Sequence, residues 1–358
     1  RVFQRKRPNT LDTCPLRIRV LQSALPEPLK MQLFRDLRLP CSSDKLTQWV
    51  LKALTLPLGR VLHPRSAPTA CAEVAAARNA MDSVIVGHDA VKREVLQLVC
   101  QARTGTGCRG YALGLEGPPG TGKTHFVRNA MPPALGLPLV SIPLGGATDI
   151  SFLVGSMYTY EGSKEGRLAA ALCEAGCCNP IIHFDELDKV STTERGQEIV
   201  SMLIHLVDPS ANASLRDRYF HGIDLDFSRC TFVFSYNDPT RISPVLLDRI
   251  RRVSMPEPGV KERHHIVVEH LVPRAAARLG IPGVCLEEEA VDAILQNGSG
   301  GGMRTAEKDV ENVLSAAQLA DTMAGSAPRQ AITAAFARAH LGVTHRAADA
   351  PAPYGMYV

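Results

Sequence analysis

Eight consecutive residues, Gly117-Pro118-Pro119-Gly120-Thr121-Gly122-Lys123-Thr124, are of the types that together hold a polyphosphate. Glycines let the backbone curl until successive amides face one anion, and the start of a helix adds its dipole. Lys123 reaches the β- and γ-phosphates as a point charge, and the Thr124 hydroxyl completes the coordination of Mg2+. About 60 residues downstream, the apolar run Ile181-Ile182-His183-Phe184 ends in Asp185-Glu186. A carboxylate there holds the Mg2+ shell while its neighbour polarises a water. That makes Asp185 the metal residue and Glu186 the base that orients attack on the γ-phosphate. Alone, an acidic pair ending a strand is a solvated turn; with a phosphate loop upstream it becomes a candidate site for hydrolysing a bound nucleotide.

Further residues fit around this centre. Asn237 follows the apolar run Cys230 to Ser235 and can hydrogen-bond the attacking water or the γ-phosphate, or else simply cap the turn before Asp238-Pro239. Arg249, in Leu246-Leu247-Asp248-Arg249-Ile250, can stabilise transition-state charge, and in a ring of subunits it reaches the neighbour's nucleotide. Arg304 follows a glycine run and can meet the γ-phosphate from another side, or be an ordinary surface arginine. Val86-Gly87, in a short apolar turn ahead of the phosphate loop, can pack on the adenine base, or else simply fill the core. Tyr160 and Glu161 lie in a glycine-bounded loop, Gly155 to Gly162, where an aromatic either faces solvent or folds back to bury its ring.

The elements that must position these residues alternate. Strand patterns at Tyr111 to Glu116, Pro138 to Ile142, Ile181 to Asp185, Cys230 to Ser235 and Ile250 to Met255 are separated by helical periodicity at Ala90 to Gln101, Leu168 to Glu174 and Glu194 to Val207. The helix after the phosphate loop is expected to end at Pro132-Pro133, and the one before Ile181 at Asn179-Pro180. Alternation of this kind means right-handed crossovers and a parallel sheet flanked by helices, an α/β fold. After Pro256-Glu257-Pro258 the strand patterns stop, and Lys261 to Leu279, Glu287 to Gln296 and Met303 to Ala324 read as a small helical lid. The expected division is a helical segment and linker over 1–75, a nucleotide-binding domain over 76–256, a lid over 257–345 and a tail over 346–358.

Composition sets limits. With 358 residues, 45% of them hydrophobic and 21% charged, the chain is core-forming and not disordered. A net charge of +4, spread along the chain, gives nucleic-acid binding little support. Ten cysteines without paired C-x-x-C spacing read as buried small hydrophobes in a reducing compartment, not as a zinc site. No apolar run approaches the roughly 20 residues that span a bilayer and no signal peptide opens the chain. The expectation is a soluble intracellular protein with no membrane partner, in cytoplasm or an organelle matrix. Arg1 in place of Met implies a start inside a longer chain.

The phosphate loop, Phe184-Asp185-Glu186-Leu187-Asp188-Lys189, Tyr236-Asn237-Asp238 and Leu246-Leu247-Asp248-Arg249-Ile250 resemble the AAA+ ATPases. Leu144-Gly145-Gly146, Thr159-Tyr160-Glu161-Gly162, Leu206-Val207-Asp208-Pro209 with Asn212, and Gly302-Met303-Arg304 are similar to the ATPase module of Lon proteases in particular, as is the segment from Leu25 through Trp49 to Pro57. The resemblance covers about residues 22 to 345. It implies an AAA+ P-loop fold with Lys123 and Thr124 in Walker A, Asp185 and Glu186 in Walker B, Asn237 as sensor 1, Arg249 as arginine finger and Arg304 as sensor 2. It further implies a homo-hexameric ring that unfolds or translocates polypeptide, with Tyr160 in the first pore loop. Glu161 departs from the aliphatic residue usual there. The Ser-Lys peptidase domain that follows the lid in Lon has no counterpart in these residues, which fits a piece of a longer protein as well as a peptidase-less relative working with a separate peptidase or adaptor. A DNA-associated AAA+ motor or clamp loader, and a non-hydrolysing AAA+ scaffold, are the rival readings.

Overall fold

The computed structural model describes residues 15–37, 44–63, 69–103, 110–160, 162–297, 302–325 and 329–341. Glu161 and the expected tail lie outside them. The described residues form two compact units, one drawn from 1–81, 90–116 and 124–254, the other from 82–89, 117–123 and 255–358.

The first unit is built on five parallel strands. In chain order its strands are β1 (Tyr111–Glu116), β2 (Leu139–Pro143), β3 (Ile181–Asp185), a small antiparallel pair β4 (Leu215–Arg216) and β5 (Asp224–Leu225), then β6 (Thr231–Tyr236) and β7 (Arg251–Ser254). The parallel sheet runs β2-β3-β6-β1-β7. Every residue of β6 is buried, which is why it reads as an unbroken apolar run and not as an alternation. Ile181 to Phe184 pair with Thr231 to Phe234, and Tyr111 to Glu116 with Thr231 to Tyr236, so these three strands end together on one edge. The Phe184 and Phe234 rings stack 5.1 Å apart beneath that edge.

Helices α1 (Leu16–Gln22), α2 (Glu27–Asp36) and α3 (Asp44–Ala53) bury Val20, Leu33, Trp49, Val50 and Ala53 in the same core as the sheet. Two helix ends differ from expectation. The helix after the phosphate loop does not stop at Pro132-Pro133: a π-helical turn, Phe126–Ala130, leads into Met131–Leu135, whose first turn holds both prolines. First-turn N–H groups have no helical acceptor, so proline loses nothing there. The helix ends instead at Gly136, with φ +64°. Likewise Arg167–Ala175 is ended by Gly176 and not by Asn179-Pro180.

The second unit packs the helical stretches Val260–Ile266, Val267–Leu271, Val272–Leu279, Glu288–Asn297, Gly302–Ala324 and Ala334–Leu341 around Val267, Ile294, Val310 and Leu314. The strand pattern does not stop entirely after Pro258. β8 (Cys285–Leu286) and β9 (Ala331–Ile332) pair in parallel, each too short to show a period in sequence. Among the described residues no helix is long and apolar enough to cross a membrane.

Candidate active site

In the second unit, the phosphate loop is turned in upon its own backbone. Gly120 and Gly122 have φ of +86° and +91°, the left-handed region that a β-carbon disfavours. The buried Lys123 ammonium donates to the carbonyls of Gly117 at 2.6 Å and Pro118 at 2.8 Å, and the Thr121 hydroxyl donates to Pro118 at 3.1 Å. Val86-Gly87 belong to the same unit. Ile85, just before them, is buried, and its Cδ1 lies 3.4 Å from where Gly122 would carry a β-carbon. Gly302, which opens the helix bearing Arg304, backs onto Pro119 and Gly120, with 3.2 Å between its missing β-carbon and the Pro119 oxygen. Arg304 itself is exposed.

The carboxylates lie in the first unit with Thr124, the next residue in the chain. The Thr124 hydroxyl donates to Asp185 Oδ2 at 3.2 Å; Asp185 Oδ1 accepts from Ser235 Oγ at 2.6 Å and from the Glu186 amide at 3.1 Å. Burial works to raise the Asp185 pKa, but the hydrogen bonds from Ser235, Thr124 and the Glu186 amide outweigh it and hold the carboxyl below the usual range. A hydroxyl beside a charged carboxylate is a hard oxygen donor set that fits Mg2+. Glu186 follows with φ +61° and ψ +46°, a left-handed conformation rare outside glycine and a place where backbone strain is stored. Its carboxylate pairs with Lys189 and lies over Gly145, where a β-carbon would come 2.3 Å from Oε2. A side chain at 145 would make that carboxylate swing aside.

Behind Asp185 runs a hydrogen-bonded chain that the sequence reading missed. His183 is fully buried, with Nε2 2.8 Å from Ser235 Oγ and Nδ1 3.3 Å from Ser141 Oγ. The single hydroxyl proton of Ser235 goes to Asp185, so Ser235 must accept from His183 Nε2–H, and His183 Nδ1 accepts from Ser141. Burial pushes the His183 pKa down to about 4, which keeps the ring neutral and this polarity fixed. The signal was present as two polar residues, His183 and Ser235, inside otherwise apolar runs. Asp188, also buried, accepts from the backbone N–H of Asn237 at 3.2 Å and of Asp238 at 3.3 Å, which sets the tip of β6 while Asn237 stays exposed.

Arg249 is exposed and pairs with Asp208 of its own chain. Asp208 is held down to about 2 by hydrogen bonds from the Ser210 hydroxyl and amide and by Arg249. Tyr160 is 67% exposed, whereas Tyr158, two residues earlier, turns inward with its ring 5.8 Å from that of Trp49.

Residues 113–257 match the ATPase family associated with various cellular activities (AAA). The chain carries an AAA+ ATPase module, and that module is Lon-like. A peroxisomal Lon protease homolog 2 of Arabidopsis thaliana is 33% identical over 248 residues, 68% of this chain and 28% of its own length. The Lon protease homolog of Acanthamoeba polyphaga mimivirus is 32% identical over 238 residues, 65% of this chain and 23% of its own. A peroxisomal Lon protease homolog 2 of Danio rerio is 30% identical over 271 residues, 75% of this chain and 32% of its own. The chain thus spans less than a third of the length of these relatives. The parallel sheet flanked by helices is the α/β P-loop fold of this Lon-like AAA+ module, and nucleotide binding with ATP hydrolysis is the general property of its family.

Proposed function

We propose that this Lon-like module binds ATP with Mg2+, hydrolyses it as a ring oligomer, and uses the turnover to pull on polypeptide, with residues 76–256 as the nucleotide domain and 257–345 as its lid. The observation that carries the reading is the Thr124 hydroxyl on the Asp185 carboxylate, with Glu186 next in chain: a metal-holding pair beside a base, reached by the residue that follows the loop lysine. Thr124 and Asp185 would hold Mg2+, which when bound would neutralise phosphate charge. Lys123 binds phosphate, Glu186 takes the proton from the attacking water, and Asn237 orients that water. Val86-Gly87 pack on the base, and Arg304 meets the γ-phosphate.

Arg249 acts on the neighbouring subunit's nucleotide. Its pair with Asp208 is partly exposed and so screened by solvent, which leaves the guanidinium free to exchange that carboxylate for a phosphate. Tyr160 and Glu161 contact the client. The exposure of Tyr160 on a braced loop supports this, because ring contacts depend little on client sequence. The peptidase in the relatives' names is not carried over to these residues.

The test is a pair of variants. Lys123→Ala should lose nucleotide affinity, while Glu186→Gln should keep binding and lose turnover by about 10²- to 10⁴-fold, measured by nucleotide titration and phosphate release. Equal loss of binding in both contradicts the assigned roles. For Arg249, mixing Arg249→Ala with Lys123→Ala subunits should restore part of the activity; no recovery in proven mixed oligomers removes the trans role.

A further inference from the structure

The described residues of the loop from Gly155 to Gly166 are tied to residues far from them in the chain. At its neck the Gly166 amide donates to buried Asp217 Oδ2 at 2.8 Å, and Asp217 Oδ1 accepts from the amides of Tyr219 at 2.8 Å and Phe220 at 3.2 Å. The Ser156 amide donates to the Lys164 carbonyl at 3.1 Å, and the Arg218 amide to the Val154 carbonyl at 2.7 Å. A second hold comes from α3. Lys45 Nζ lies 3.5 Å from the Thr159 carbonyl, Trp49 sets its ring 5.8 Å from that of Tyr158, and Lys52 pairs with Glu165. Positions 45, 49 and 52 follow one another at helical spacing on one face of α3, so a single rigid face touches the loop at three points.

These points are unequal. Trp49 is 3% exposed, donates through Nε1 to the Tyr219 carbonyl at 2.6 Å and packs on Phe220, so it ties the loop's base and its neck to one ring. Lys52 is half exposed, and the Lys45 contact is at the limit of a hydrogen bond. The loop therefore has a base held by Tyr158 against Trp49, and a tip whose Tyr160 ring stands in solvent while its amide donates to the Met157 carbonyl at 3.2 Å.

We infer that α3 is a positioning element for this loop: Trp49 sets where the Tyr160 tip stands, and whatever displaces α3 displaces the tip. The inference rests on the reading of Tyr160 as a client contact for its functional meaning, but not for its structural content. Through α3, the segment ahead of the nucleotide core governs grip as a distinct input from the nucleotide.

The test is hydrogen exchange on the full chain, following amides of 156–165 with those of β3 and β6 as internal references. Trp49→Leu should speed exchange in the loop by about tenfold or more, and Lys52→Met by about two- to threefold, with the strands unchanged. Wild-type exchange in the Trp49→Leu loop overturns the inference. If Trp49→Leu loosens the strands as well, Tyr158→Leu decides, since it removes only the loop's own ring, and an unaltered loop there overturns it too. Client unfolding separates the two readings. A loosened loop with reduced client unfolding supports both. A loosened loop with normal client handling in Trp49→Leu and also in Tyr160→Ala leaves the brace standing and removes the client contact. Trp49 is the sole tryptophan of the chain, so its emission should also shift in Tyr158→Leu.

Discussion

Two glycine-bearing loops of this chain are built in opposite ways. The phosphate loop is hydrogen-bonded largely to itself: Lys123 ties back to carbonyls five and six residues earlier, and Gly120 and Gly122 supply the left-handed turns, while Ile85, Met255 and Gly302 pack against it. The loop bearing Tyr160 is held mainly from outside, by partners 51 to 114 residues away in the chain, with Ser156 and Lys164 bonded to each other across its neck. A self-held loop needs each of its residue types in order, because its own atoms do the holding. An externally held loop leaves the side chain at its tip exposed, so that it is available to face something else while the base stays put.

The largest expected effect tests whether both necks are equally rigid. A β-carbon on Gly117 would come 2.2 Å from the Met255 carbonyl oxygen, and one on Gly166 would come 2.2 Å from the Leu153 carbonyl oxygen. In each case the obstacle is backbone, which cannot rotate away as a side-chain end can. Gly117→Ala and Gly166→Ala should each lower stability by about 3 kcal/mol, read from denaturant midpoints. A cost well below that at Gly166 alone would show that the neck of the outer loop yields and that the two loops differ in stiffness as well as in design.

The same contrast explains what could be read from sequence. The phosphate loop and Asp185-Glu186 were legible because their chemistry dictates residue type at fixed spacing, and β3 and β6 because burial on both faces leaves apolar runs. Gly145 under Glu186, Ser235 behind Asp185 and Trp49 under Tyr158 were not assigned roles, because each works through a partner that only folding brings near. The helix passing through Pro132-Pro133 was missed for a local reason. A π-helical turn resets the helical register, so the prolines fall in a first turn, and no residue type signals that in advance.

A smaller effect concerns the buried carboxyl at the outer loop's neck. Burial pushes the Asp217 pKa from 3.8 up to about 6, with Glu165 adding to the rise, while the amides of Gly166, Phe220 and Tyr219 act against it. Since the folded value is the higher one, the folded chain holds this proton more tightly than the unfolded chain. The resulting stability is complete below about pH 4 and is lost as pH rises through about 6, on the order of 2 to 3 kcal/mol in all. Asp217→Asn removes the titration, so the stability of wild type relative to this variant should shrink between about pH 4 and pH 7. A gap that stays constant over that range would mean that the carboxyl is better solvated than its burial implies. The variant also takes away the acceptor for the Gly166 amide, so loop exchange should rise at every pH.

The smallest effect is the most discriminating. Gly122 and Gly162 both have positive φ, +91° and +76°, and neither is blocked by backbone: Gly122 would meet Ile85 Cδ1 at 3.4 Å, an ordinary contact, and Gly162 would meet nothing within 4 Å. Alanine at either position therefore tests conformation and not space. Where the surrounding structure imposes the left-handed backbone, the substitution costs about 1 to 2 kcal/mol. Where it does not, the chain rotates to a conformation alanine accepts, and the loss of unfolded-state entropy makes the change neutral or stabilising by about 0.4 to 1 kcal/mol. Gly122→Ala should destabilise, because the phosphate loop fixes its own backbone. Gly162 lies close to the tip of the outer loop, beyond the reach of Asp217, and between the Lys45 and Lys52 contacts of α3. If the brace ends at Tyr158, Gly162→Ala should be neutral or stabilising in thermal unfolding. A loss of about 1 to 2 kcal/mol would instead mean that the ordered backbone extends to the tip, and that Tyr160 is presented by a rigid loop in the same way that Lys123 is.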